Sequence, residues 1–298
     1  MAAAPASARG DSGPAPVAAP IAALAPADDA RRAVVIGRDG EVYEPDGKGA
    51  WVHRLPCSTA EPVVAAGRAG GAVVALGHGV IYRLAANGWS AIRLVQHGKA
   101  ILGEGTRSLA AVGRQLFALD GLTRGEPTRL VQAPTNIVSI GAGAGAAAII
   151  VATEAGVFRV AGAKLVAVKP ALVRPRLLSD RWALVDRAAA DLTTGKLTPW
   201  PAGLAIQAAA VAPGDSLVAV GTSRAGLELV TVGAGKLARE LLHLTGTAVG
   251  VVADRAGRAV VALSDGRIAV RDKAGWTVTQ VVDAAAADHP GPAPAVSE

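Results

Sequence analysis

The sequence predicts an all-β chain folded as a seven-bladed β-propeller with four antiparallel strands per blade. Three observations lead there. Apolar runs of about four residues alternate with tight turns bearing Gly or Asp, units of such runs recur at a spacing of about 33–42 residues, and no run keeps a helical period over a helical length. The composition suits this architecture. Of 298 residues 51% are apolar but only 3% aromatic, and 36 are glycine, which implies a core of Ala and Val joined by many close turns.

The units follow one another along the chain. "RRAVVIGRDGEVYEPDGKGAWVHRL" (31–55), "GAVVALGHGVIYRLAANGWSAIRL" (71–94) and "SLAAVGRQLFALDGLTRGEPTRL" (108–130) each contain an apolar run, a turn, a second run, a turn and a third run. The same order returns at 146–168, 181–200, 216–241 and 257–282. A further strand candidate precedes each unit, at 21–24, 63–66, 100–103, 137–140, 174–178, 206–211 and 248–252, and its Ala and Gly suit the crowded axis. The second strands, such as Val34-Val35-Ile36, are apolar throughout, as expected of strands covered on both faces by neighbouring blades. Third strands alternate, as in Val157-Phe158-Arg159-Val160. An α-solenoid lacks its period here, and a β-sandwich would not impose a unit of near-constant length. Closure is expected to rest on packing of the first unit against the seventh, not on a shared blade.

Residues 17–283 are assigned to the propeller, and 1–16 and 284–298 to disordered tails rich in Ala and Pro. The opening stretch has no basic region leading into an apolar one and does not read as a secretory signal; "RGD" at 9–11 is three common residues in such a tail. The uncharged stretch 130–153 is long enough to span a bilayer, but Pro134, Asn136 and "GAGAG" (141–145) make a poor helix centre, and the repeat accounts for it better. Cys57 is the only cysteine. A cytoplasmic location is expected.

One stretch looks like a signature: "DLTTGKLTPWP" (191–201). Asp191, Thr194, Gly195 and Trp200 resemble the D-x-x-T-G-x-x-x-W pattern of the quinoprotein-type β-propeller repeat, with four residues instead of three between Gly195 and Trp200. A looser match, without the Trp, uses Asp120, Thr123 and Gly125; the remaining units are irregular and WD40-like. The resemblance implies that Asp, Thr and Gly build the turn between third and fourth strands and that the Trp packs between blades. These are structural roles, not cofactor ligands. Trp51, Trp89 and Trp276 follow Gly-containing turns at the start of fourth strands and read as the same kind of anchor.

No catalytic residue, metal ligand or cofactor is assigned. The acidic residues fall singly in turns, where solvated side chains are the default, and the two asparagines, Asn87 and Asn136, do not supply a calcium-type cluster. His53, His78, His97, His243 and His289 show no metal-ligand spacing and read as isolated exposed histidines. "GAGAG" lacks a following GK[ST] and precedes a strand; Ser108, Ser179 and Ser216 have no nucleophile-elbow context.

Charge carries more information. The net charge is +6, and residues 159–196 hold eight Lys or Arg against three Asp. Arginine also recurs between second and third strands: Arg38, Arg114, Arg187, Arg224 and Arg267, with His78 in a sixth unit. Such turns share one face of a propeller, where guanidinium groups can grip carboxylates or phosphates in pairs. Solvated turn arginines balanced by Asp39, Asp186 and Asp265 are the plain alternative, and both readings stay open at this point. The function expected is a non-enzymatic scaffold that presents this arginine-bearing face to a protein partner, acidic or part of a multi-protein complex. The alternatives are binding of an acidic polymer or nucleic acid, disfavoured by the few aromatics, and a hydrolase or lyase site in the central channel.

Overall fold

The computed structural model describes residues 20–25, 30–46, 48, 51–55, 59–69, 72–78, 80–93, 100–105, 109–119, 127–143, 148–169, 172–233 and 236–281. The tails expected at 1–16 and 284–298, the looser repeat match at Asp120, Thr123 and Gly125, Cys57, His97 and His289 lie outside these residues. The described chain forms seven sheets, each with four antiparallel strands taken in sequence order, and one of them gains a short fifth strand from an earlier part of the chain.

Blade 1 comprises Ile21–Ala25, Val34–Gly37, Val42–Pro45 and Trp51–Leu55, and blade 2 Ala65–Ala69, Ala72–Leu76, Val80–Ala85 and Gly88–Arg93. Blade 3 comprises Ala100–Leu102, Leu109–Val112, Gln115–Ala118 and Thr128–Gln132, and blade 4 Ile137–Ala142, Ile149–Thr153, Gly156–Ala161 and Lys164–Ala167. Blade 5 is built from Arg176–Leu177, Trp182–Val185, Ala188–Asp191 and Leu197–Pro199. Blade 6 has the long strands Ala205–Ala212, Ser216–Ser223, Gly226–Gly233 and Lys236–Leu241; blade 7 has Ala248–Ala253, Ala259–Leu263, Arg267–Asp272 and Gly275–Gln280. The one helical element among the described residues is a 3-10 turn, Ala30–Arg32, and no helix there is long and apolar enough to cross a membrane.

Burial falls from the second strand outward. Ile149–Thr153 and Ala259–Leu263 are buried at every position, Gln115–Ala118 alternates, and the outermost Lys164–Ala167 is mostly exposed. This gradient follows from the packing: a second strand is covered on both sides by adjacent blades, and a fourth strand meets water. The buried apolar side chains accordingly gather into seven clusters, one at each seam between neighbouring blades.

Among the described residues the ring closes by this packing, with no strand shared between blades 7 and 1. The seam of blades 7 and 1 holds Ile21, Leu24, Val35 and Tyr43 against Val252, Val260, Ala262 and Ile268. A Cβ on Gly250 would stand 2.6 Å from Leu24 Cβ, so the two inner strands meet where no side chain fits between them. The inner strand also carries a recurrent bulge: in blades 1, 4, 6 and 7 its register against the second strand skips one residue, at Ala22, Val138, Gln207 and Val249.

The structure moves two first strands and adds one. The strand expected at 63–66 is Ala65–Ala69, because Val63 donates its amide to Arg38 O of blade 1 (2.9 Å) and so belongs to the connector. The strand expected at 174–178 shrinks to Arg176–Leu177, since Arg174 takes a left-handed φ of 44° and Pro175 follows it. An unexpected strand, Glu104–Gly105, pairs in parallel with Gly141 and Ala142 on the axial side of blade 4. Its backbone comes within 8 Å, Cα to Cα, of the inner strand of blade 6, so it occupies part of the central channel.

Candidate interaction face

Alternating strand directions bring the turns between second and third strands to the same end of the disc as the connectors between blades. Backbone hydrogen bonds weld them together. Thr59 N donates to Asp39 O (2.8 Å), Ala133 N to Arg114 O (2.8 Å), Glu154 N to Asn136 O (3.4 Å), Trp200 N to Arg187 O (2.9 Å), and Ser264 N to Thr247 O (2.9 Å). These connectors thus bond to the turn of the blade they leave or of the blade they enter, which stiffens the described part of this face although it consists of loops. Gly40 shows how tightly it is fitted: its φ is +91°, and a Cβ there would lie 2.7 Å from Thr59 Cγ2.

The arginines expected on this face are all on it, but they are not alike. Arg267 stands at the first position of its strand and is half-buried; it donates from Nε (2.9 Å) and Nη2 (2.6 Å) to the Asp265 carboxylate and from Nη2 to Thr245 O (2.6 Å). Its guanidinium holds the Asp265 carboxyl below the usual carboxylate range, against the effect of burial, and its own pKa is raised in turn. Arg114 is exposed but donates from Nε to Ala133 O (2.9 Å), fixing the connector below blade 4. Arg38, His78, Arg187 and Arg224 are exposed, and none has a side-chain partner among the described residues. Arg38 has Asp39, Glu41 and Glu61 on its turn and connector, whereas Arg187 and Arg224 belong to the basic side of the face. Arg224 lines a shallow cavity of about 180 Å³ with Thr222, Ser223, Thr245 and Gly246.

The opposite face is made of turns between first and second and between third and fourth strands, and there the acidic residues depart from the sequence reading. Asp191 and Asp254 are buried, not solvated, and each is bound by an arginine. Asp191 accepts from Arg181 Nε (3.2 Å) and Nη2 (3.0 Å), and from the amides of Thr193 (2.9 Å) and Thr194 (3.2 Å). Asp254 accepts from Arg258 Nε (2.6 Å) and from the amides of Ala256 (2.8 Å) and Arg258 (3.1 Å). Burial alone would raise both carboxyls; these donors outweigh it and hold both below their ordinary values. In blade 6, Glu228 is buried within its sheet and bound by Arg239 Nε at 2.8 Å.

The signature stretch is structural, as its resemblance implied. Asp191 Oδ1 caps the turn, Gly195 takes a φ of +72°, and Trp200 packs half-buried against the seam of blades 5 and 6. Trp89 and Trp276 anchor neighbouring blades by donating Nε1–H, to Gly40 O (2.6 Å) and Glu240 Oε1 (2.7 Å) respectively. Trp51 rests on the closing seam. His53 is not an exposed histidine: it is half-buried, its ring 5.3 Å from that of Tyr43. His78 and His243 are exposed, and among the described residues no three His, Cys, Asp or Glu side chains converge.

No family model matches the chain, and no curated protein matches it significantly. Among solved structures it is similar to the WD40 β-propeller domain of Doa1, at 12% identity and a TM-score of 0.60 over 86% of this chain and 94% of that one. It is also similar to a streptogramin B lyase, at 11% identity and 0.63 over 90% and 96%. YCF48 from Cyanidioschyzon merolae aligns at 13% identity and 0.57 over 90% and 97%. A WD40 domain and a lyase thus share this architecture, and what the chain has in common with them is the fold: it is a seven-bladed β-propeller.

Proposed function

We propose that the protein is a non-enzymatic interaction propeller that presents its face of second-to-third strand turns to a protein partner. The observation that carries this reading is a hydrogen-bonded loop face on which Arg38, Arg187 and Arg224 stand exposed with no side-chain partner among the described residues, while Arg114 and Arg267 are engaged by the fold. A bonded backbone saves the cost of ordering the loops on docking, and each guanidinium can meet a carboxylate through two parallel hydrogen bonds, so the face favours a docking role. The strand Glu104–Gly105 in the central channel weighs against a substrate site on the axis.

Co-purification from the native host compares the wild type with Arg38→Glu/Arg187→Glu/Arg224→Glu and with a control on the opposite face, Lys196→Glu/Lys273→Glu. The triple reversal is expected to lose the partner and the control to keep it. The converse pattern would transfer the interface to the opposite face.

A further inference from the structure

We infer that the sector of this face formed by blades 4 to 6 takes an acidic peptide segment carrying one aliphatic side chain: Lys169, Arg174, Arg187 and Arg224 meet its carboxylates, and Val173 meets its aliphatic group. The inference rests on the interaction-face reading above and narrows it to one sector and one ligand chemistry.

The connector from blade 4 to blade 5 is built to hold Val173 outward. At its start Val168 N donates to Val157 O (2.9 Å), Val168 and Leu172 pack against the seam of blades 4 and 5, and Pro175 at its end is buried. Between these anchors Arg174 takes a φ of 44°, a left-handed conformation uncommon for a residue with a side chain. Beside it Val173 stands 85% exposed, more than any other large hydrophobic residue described. A single exposed valine is ordinary on a protein surface. A valine held out beside a strained backbone residue, in a loop pinned at both ends, is not, because strain of this kind persists only where the surroundings impose it.

The charges around it are mostly positive. Lys169 and Arg174 lie on the same connector as Val173, Arg187 on the turn of blade 5 and Arg224 on the turn of blade 6; Glu154 and Asp186 are the acidic residues among them, and Asp265, which borders Gly246 of the cavity beside Arg224, is already engaged by Arg267. Arg174, Arg187 and Arg224 have no side-chain partner among the described residues. Blade 1 carries the opposite balance, with Arg38 among Asp39, Glu41 and Glu61. A face polarised in this way attracts and orients an acidic ligand toward blades 4 to 6 and repels it from blade 1. The cavity beside Arg224, bordered by the Thr222, Ser223 and Thr245 backbone and side chains, has room for a carboxylate side chain. The side chain set among the cations is aliphatic, whereas single-stranded nucleic acid would call for an aromatic platform.

The test selects short peptides from a random displayed library on the full chain, then measures the selected peptides, and oligo-dT as a nucleic-acid probe, by fluorescence anisotropy. The expected peptides are rich in Asp and Glu around an aliphatic residue. Arg174→Glu/Arg187→Glu/Arg224→Glu should weaken them about tenfold or more, and Val173→Ser severalfold, with wild-type thermal midpoints, while Arg38→Glu/Arg114→Glu leaves them unchanged. Peptides weakened only by Arg38→Glu/Arg114→Glu would overturn the sector while leaving the interaction face standing. Peptides indifferent to every variant would overturn both. Tighter binding of oligo-dT than of any peptide, with Val173→Ser silent, would overturn the peptide in favour of a nucleic acid.

Discussion

In blade 5, Arg181 and Arg187 stand six positions apart in sequence, at opposite ends of the strand Trp182–Val185, and they do different work. Arg181 grips the buried Asp191 carboxylate and lies with Cζ 5.2 Å from the ring centroid of Trp182. Arg187 reaches into water, and only its backbone carbonyl is used, by Trp200 N. The contrast extends to the two faces of the disc. On one, the turns bring an arginine to a buried Asp: Arg181 reaches Asp191 from the first-to-second to the third-to-fourth strand turn of blade 5, and Arg258 reaches Asp254 within the first-to-second strand turn of blade 7. On the other, described second-to-third strand turns such as those of blades 1, 3, 5 and 7 are bordered by connectors whose backbone is already bonded to them. Arginine placement there is free of structural demand, except where Arg114 bonds Ala133 O and Asp265 recruits Arg267.

The largest expected effect breaks the structural side of this contrast at its base. Trp182 is buried, donates Nε1–H to Asp215 O of blade 6 (2.8 Å) and supports Arg181. Trp182→Ala should cost about 4 kcal/mol in urea unfolding, from lost packing and the opened seam. Wild-type stability in that variant would show that the seam of blades 5 and 6 does not depend on the indole.

Removing a gripping arginine comes next. Arg258→Ala leaves the Asp254 carboxylate buried without its charge partner and should cost about 2–3 kcal/mol, because the guanidinium is itself largely covered. Replacing both partners, as Asp254→Asn/Arg258→Ala, should recover part of that loss. Equal losses in the single and double variants would mean that the pair contributes nothing beyond each side chain alone.

Acid sharpens the same comparison. Asp191 and Asp254 have lowered folded-state pKa values, so their contribution is present above the ordinary carboxylate pKa and is lost as pH falls through the folded-state value. Stability should therefore decline below about pH 4, and the decline should be shallower in Asp254→Asn/Arg258→Ala. A parallel decline in wild type and variant would detach the acid sensitivity from this pair.

The smallest effect belongs to the other face. Arg187→Ala and Arg224→Ala should each change stability by less than about 0.5 kcal/mol, since both side chains are exposed and unbonded among the described residues. A loss as large as that of Arg258→Ala would reassign them to the fold and remove the ground for a docking role.

Much of this architecture was legible in the sequence because it is local. Short apolar runs between Gly and Asp turns specify strands, uniformly apolar runs such as Val34-Val35-Ile36 mark the covered second strands, and Asp191 to Gly195 encode a turn that closes on itself. The positions of Arg38, Arg114, Arg187 and Arg224 also follow from strand order alone. What only the tertiary structure decided is which of these groups meet. Trp276 and Arg271 of blade 7 converge on Glu240 of blade 6, Gln207 Oε1 accepts from Ala248 N (2.6 Å), Leu24 meets Gly250 across the closing seam, and Glu104–Gly105 adds a strand at the axis. The outward turn of Val173 likewise depends on how Leu172 and Pro175 are anchored. Each such contact joins residues of different blades or of a strand and a distant turn. Sequence periodicity records the span of one strand, whereas these contacts are set by the angle and distance at which one finished sheet packs on the next.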